Sequence, residues 1–482
     1  MIRRIVSISL LLASVAHADP AADYAEHCAA CHGEDRLGGT GPALIPETLG
    51  RLKGIETIIA EGRVSTQMIG YAEQLSPDAI AALAAYIQTP LEQRPDWTAG
   101  DMVASREMNP DYRPADAPVF KADPMNITLV VETGDHHVSV LDGDSFEVLD
   151  RFATPFAVHG GPKFDPQGRF VYIMSRDGWV QKYDIWSLAE VGRIRAALNS
   201  RNIAISPDGE WLAVANYLPE SLTILDDDLN PADLIAVEAE GTPSRVSAVY
   251  QAPQRGSFVL ALKDAAEIWE VTPSDHAIRR IPISEPLDDF FFSPDYKQVI
   301  GANRTGDSGV VVDLDDGHEV ARLPLPGMPH LGSGITWELE GRRVMATPHL
   351  GEGVLSVIDM ADWSLVKQIQ TSGPGFFLRG HATSPYIWAD VFFGPHRDEM
   401  HVIDKQTLEI VRTLAPFPGQ TFAHSEFTRD GSHVLVSLWE DEGAVVVYDA
   451  KTLEEVRRLP MRKPSGKYNV WNKITFEDGT SH

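Results

Sequence analysis

The stretches VSVLDGDSFEV (Val138–Val148), LSVIDMADWSL (Leu355–Leu365) and VVVYDAKTLEEV (Val445–Val456) share one pattern: an apolar run, an Asp-led turn, and a second alternating run. The pattern starts again at Gln181, Leu222, Ile268, Val310 and His401, giving eight copies spaced about 41 to 46 residues apart. Companion segments precede several copies: FDPQGRFVYIMS (Phe164–Ser175), ISPDGEWLAVAN (Ile205–Asn216), FSPDYKQVIGAN (Phe292–Asn303) and FTRDGSHVLVSL (Phe427–Leu438). Each follows a Pro-Asp or Asp-Gly turn with the period-two alternation of a half-buried strand. A repeat of this length suits four strands, so the reading is mainly β, an eight-bladed β-propeller over residues 125–482.

Upstream, the chain opens MIRRIVSISLLLASVAHADP. Arg3 and Arg4, an apolar run from Ile5 to Val15 and a small-x-small site at Ala16–Ala18 make residues 1–18 a signal peptide. Mature protein then starts near Asp19, and the expected location is the periplasm. No later run is long and apolar enough to span a bilayer. Asp and Glu number 69 against 41 Lys and Arg, a net charge of −28, which disfavours nucleic acid and anionic membranes as partners.

Both cysteines lie in EHCAACHG (Glu26–Gly33). Cys28-x-x-Cys31-His32 is the c-type haem attachment pattern: two thiols one helical turn apart bond the vinyl groups, and the adjacent imidazole ligates the iron. Residues 19–92 resemble a class I cytochrome c. AADYAEHCAACHG reads as its first helix, GGTGPAL (Gly38–Leu44) as the loop passing the ligand histidine, and SPDAIAALAAYIQ (Ser76–Gln88) as the closing helix. Ser76 is the expected N-cap, with Pro77 at the first helical position. Met68 stands where that family has its distal methionine, with Met102 and Met108 as competitors. Residues 93–124, rich in proline and polar side chains, read as a linker.

Three histidines precede or open companion strands: His159 in FAVHGGPK, His330 in GMPHLGSG and His424 in TFAHSEF. The first strand of each propeller blade lines the central channel, so equivalent positions point toward one axis. His159 belongs with the second copy of the repeat, His330 with the sixth and His424 with the eighth. Positions four blades apart in eight are opposite, so His159 and His330 could grip a flat cofactor from its two faces, with His424 at its rim. The alternative for each is a histidine that bonds a neighbouring blade, as His349, His381 and His396 could.

A c-type haem domain followed by this propeller resembles the cytochrome cd1 group over essentially the whole mature chain. The segments that carry the resemblance are FAVHGGPKFDPQGRFVYIMSRDG (156–178), PHLGSG (329–334), TPHLGEG (347–353) and SGKYNVWNK (465–473). The group holds nitrite reductases and NirN-type dihydro-haem d1 dehydrogenases. By resemblance, His159 and His330 bind the iron of haem d1 or dihydro-haem d1. A second distal histidine of the reductases aligns with Leu287, which argues against nitrite chemistry. His424 and Tyr468 match the dehydrogenase's active-site pair. The resemblance therefore implies oxidation of a propionate side chain to acrylate, with His424 as base and Tyr468 as its partner. Electrons would leave through haem c to a periplasmic acceptor, and a cytochrome cd1 nitrite reductase is the candidate recipient of the product. Arg176, Arg201, Arg245 and, more weakly, Arg379 are the candidates to bind the substrate's carboxylates. The rival readings are a nitrite reductase and a non-catalytic haem d1 carrier.

Overall fold

The computed structural model describes residues 19–39, 41–49, 52–63, 68–93, 95–155, 157–158, 161–303 and 308–476, without the side chain of Glu47. The signal-peptide reading and His159 lie outside the described residues. None of the described helices is long and apolar enough to cross a membrane.

Eight antiparallel sheets form the propeller, seven of four strands and one, blade two, of five. Every copy of the repeat falls on the third strand of one sheet, for example His137–Asp142, Trp179–Asp184 and Gly443–Asp449. The turns form as their residues dictate. In Ser206-Pro207-Asp208-Gly209, Gly209 adopts φ +80° and the Trp211 amide donates to Ser206 Oγ at 2.9 Å. Inner and middle strands are buried on both faces because each blade is sandwiched between two others, whereas outer strands such as Glu455–Met461 are largely exposed.

The ring is closed by the chain's far end. Pro464–Asn469 pairs with Ile127–Glu132 and becomes the inner strand of blade one, with Leu129 opposite Tyr468. The helix Val470–Thr475 follows, capped by Asn469 Oδ1, which accepts from the Asn472 amide at 3.3 Å. C-terminal residues thereby reach the channel mouth beside blades eight and two.

The N-terminal domain is helical. Ser76 Oγ accepts from the Ala79 amide at 3.2 Å and Pro77 opens the helix Pro77–Ile87. Leu83, Ala84 and Ile87 of that helix pack on Tyr24, Cys28 and Leu49. Segment 93–124 is more than a tether. Thr98 and Asp101 form a capping box for the helix Ala99–Ser105, and Glu107–Met108 adds a fifth strand to the edge of blade two. Ala43 and Ile45 of the helical domain share an apolar cluster with Leu198 and Leu218 of blade three. There Gly38 lies so close to Asn199 that a Cβ would come within 2.7 Å of Asn199 Nδ2.

Candidate functional site

The haem-attachment residues have the donor set a c-type haem requires. Both thiols are free, that of Cys28 buried and that of Cys31 exposed. His32 is buried, and its Nδ1 lies 2.7 Å from the Pro42 carbonyl. Donation from Nδ1 leaves Nε2 with its lone pair for a metal. Gly41 is needed here, because a Cβ would come within 2.5 Å of the His32 ring. Met68 is half-buried, and its carbonyl accepts from the Arg63 amide at 3.0 Å. Its sequence competitors are engaged elsewhere: Met102 is fully buried against blades two and three, and Met108 sits over Gly192.

From His32 a short route leads to the propeller channel. The Gly38 amide donates to the His32 carbonyl at 2.9 Å, Gly38 abuts Asn199, and Asn199 Nδ2 donates to the Arg176 carbonyl at 2.8 Å. Arg176 is buried, its Nε has no partner among the described residues, and its guanidinium lies 5.1 Å from the Tyr217 ring centroid. Burial brings its pKa down to about 10. A buried cation with an unmade donor is a built place for a carboxylate.

Tyr217 gathers further cations. Arg245 and Lys263 lie 5.4 and 5.9 Å from its ring centroid. Burial alone would raise the phenol, but Lys263, Arg201, Arg176 and Arg245 override it and bring the pKa down to about 8. Arg245 also holds Asp264 at 2.8 Å, so part of its charge is already answered within the protein. Arg201 is buried on the inner strand Asn199–Ile205.

Blades seven, eight and one supply acid–base groups. His424 sits at a bulge in Phe422–Phe427 with φ +52°, a conformation a non-glycine residue keeps only when its surroundings impose it. What imposes it is Asp390: Oδ2 accepts from the His424 amide at 3.1 Å, and Oδ1 accepts from the Phe376 and Phe377 amides at 2.8 and 2.9 Å. Burial raises the Asp390 carboxyl to about 6, against those three hydrogen bonds. His424 Nδ1 is buried without a partner among the described residues. Burial, then Lys467, Arg379 and Lys473, keep the imidazole neutral by holding its pKa well below the usual value. The Tyr468 ring stands 5.8 Å away, edge-on. Burial raises its phenol to about 12.

His330 is buried beside the same aromatic wall. Its ring centroid is 4.2 Å from that of Phe376, while Phe377 lies 4.4 Å from His424. His330 Nδ1 lies 2.7 Å from the Phe376 carbonyl and Nε2 lies 3.5 Å from Asp289 Oδ2. Leu287 is a core residue, 1 % exposed, so the acidic neighbour of His330 is Asp289. His349, which shares the sequence motif, is structural: Nδ1 meets the Pro326 carbonyl and Nε2 the Ser356 hydroxyl. Asp390, Tyr217, Lys163, Lys263, Asp289, Glu426 and Lys473 escaped the sequence reading. Lys163, Glu426 and Lys473 lay in quoted motifs, FAVHGGPK, TFAHSEF and SGKYNVWNK, without being singled out.

Residues 122–473 match the family described as Cytochrome D1 heme domain. The chain belongs to that family. Residues 15–87 match a second, Cytochrome C oxidase, cbb3-type, subunit III. Among cytochrome D1 relatives, the chain is 52% identical to the dihydro-heme d1 dehydrogenase of Pseudomonas aeruginosa, covering 99% of both. It is 26% identical to the nitrite reductase of Stutzerimonas stutzeri over 94% of this chain and 92% of that one. A solved structure of dihydro-heme d1 dehydrogenase NirN in complex with DHE superposes with a TM-score of 0.82 at 53% identity, covering 94% of this chain and all of that one.

Proposed function

We propose that this chain oxidises a propionate side chain of dihydro-haem d1 to the acrylate of haem d1. The observation that carries the proposal is the neutral, unpartnered Nδ1 of His424 beside Tyr468, together with the orphaned buried donor of Arg176 on blade two. A C–H proton needs a positioned base that is unprotonated at neutral pH, and an imidazole whose burial disfavours its charged form is held in that state. Tyr468, protonated over the same range, orients the imidazole and passes protons.

Arg176, Arg201 and Arg245 hold the substrate's carboxylates, and Arg379 joins them from blade seven. His159 and His330 hold the macrocycle by its iron, which requires His330 Nε2 to leave Asp289. Haem c, held by Cys28, Cys31, His32 and Met68, supplies a one-electron acceptor of raised potential. The short Gly38–Asn199–Arg176 connection supports electron exit in that direction. The leader-like N-terminus supports export to the periplasm, with a periplasmic redox protein as final acceptor and a cytochrome cd1 nitrite reductase as recipient of the product.

The test is anaerobic mixing of the oxidised holoprotein with dihydro-haem d1, followed by visible spectroscopy, against His424→Ala. Conversion by the parent with a loss of about 10²- to 10⁴-fold in the variant is expected. Tight binding without conversion in the parent, even with an added acceptor, would leave a carrier; sustained nitrite turnover would make it a reductase.

A further inference from the structure

Oxidising –CH2–CH2– to –CH=CH– releases two protons as well as two electrons, and both protons appear in a buried site. His424 cannot store either, because burial and the neighbouring cations disfavour its charged form. We propose, building on the dehydrogenase reading, that Lys473, held by Glu426, takes protons from the His424–Tyr468 pair and hands them to solvent.

Three placements support this role. The Lys473 ammonium nitrogen lies over the Tyr468 ring, 5.6 Å from its centroid. It is 3.6 Å from Glu426 Oε2, an oxygen that also lies 3.9 Å from Arg379 Nε, while Asn472 Nδ2 fixes Glu426 Oε1 at 3.0 Å. The Lys473 side chain is 10 % exposed, as is that of Arg379, against 3 % for Glu426; of these, the lysine alone combines access to water with a proton it can release near neutrality.

The chemistry agrees with the placement. Charged and titratable groups face Lys473 from the neighbouring elements: Lys163 from blade two, Arg379 from blade seven, Glu426 and His424 from blade eight, and Tyr468 from blade one. Arg429, close to the same helix, is engaged with Asp123 at 2.6 Å and with the Trp471 ring. Burial, then Arg379, lowers the Lys473 amine to about 7, with Glu426 opposing. At neutral pH much of it is therefore the unprotonated amine, able to accept a proton.

The step balances as follows. The two C–H protons leave one at a time, each moving first to His424. The imidazolium proton passes to the Tyr468 oxygen as the phenol's own proton goes, directly or through a bridging water, to Lys473 Nζ. Lys473 then releases it to solvent. The electrons leave singly through haem c to an external one-electron acceptor protein. Lys473 is thus a positioning and relay residue that does not touch the reacting carbon.

The test uses Lys473→Arg, which keeps the charge but cannot titrate near neutrality, and Lys473→Ala, both as holoprotein. In substrate-free protein, NMR of ¹³C-methylated lysines should show one amine titrating near 7 that is missing from Lys473→Arg, against about 10.4 for solvated lysines. The parent's kcat should rise with pH through about 7. Lys473→Arg should lose that rise and about tenfold or more in kcat with substrate affinity unchanged, and added ethylamine should restore Lys473→Ala. A Lys473 amine titrating near 10, or a Lys473→Arg variant with the parent's kcat and pH profile, overturns the relay. A parent that binds substrate without converting it overturns the dehydrogenase reading and the relay together.

Discussion

Asp390 holds His424 by its backbone, not its ring: Oδ2 accepts from the His424 amide at 3.1 Å, while Oδ1 takes the two amides of the Phe376–Phe377 turn. One carboxylate thus fixes the base and the aromatic wall touching both His424 and His330. Asp390→Asn can still accept the two Phe amides through its carbonyl but turns an N–H toward the His424 N–H. It should cost about 1–3 kcal/mol and lower kcat with little change in substrate affinity. Denaturant unfolding and single-turnover kinetics check this. Because the folded pKa of Asp390 is raised to about 6, the folded state holds the proton more tightly there, so this group's stability contribution is lost as pH rises through about 6.

Arg176 is a buried cation whose Nε makes no bond among the described residues. Arg176→Met should weaken dihydro-haem d1 binding by about 1.5–3 kcal/mol, the worth of a hydrogen bond to a charged group. The same change should leave the substrate-free protein equally stable or more so, because it removes a buried charge. Equilibrium titration and thermal unfolding read the two effects. Equal binding by variant and parent would remove Arg176 from the site.

The Tyr217 phenol should ionise near pH 8 in the substrate-free protein, visible as an ultraviolet phenolate change absent from Tyr217→Phe. With the folded pKa below the unfolded value near 10, the associated stability is complete above about pH 10 and lost as pH falls through about 8. Bound substrate carboxylates offset the cations, so saturation with ligand should move the ionisation upward.

Replacing Met68 by alanine should lower the haem c reduction potential and slow electron exit after substrate oxidation. Met102→Leu should leave the potential unchanged, since Met102 is buried against blades two and three. Potentiometry of the three proteins decides between them.

Much of this was legible before any coordinates. Local chemistry gave the haem-attachment residues, because Cys28, Cys31 and His32 act within one turn of chain. The Ser76-Pro77 helix start was legible for the same reason. Composition misled at residues 93–124, where proline-rich sequence concealed the Thr98–Asp101 capping box and a strand that adds to blade two.

By itself, the sequence determined the number of blades and the expectation that His159, His330 and His424 approach one axis, because a repeat of fixed length puts equivalent positions at equivalent places in the blades; Tyr468 entered only through the family resemblance. Only the tertiary structure decided which side chains meet there. Ring closure by Pro464–Asn469 brings Tyr468 and Lys473 beside His424 and Glu426, and blade seven delivers Asp390 to the His424 amide. Those partners come from separate blades, and their protonation follows from burial and from charges on neighbouring blades. No spacing along the chain encodes either quantity.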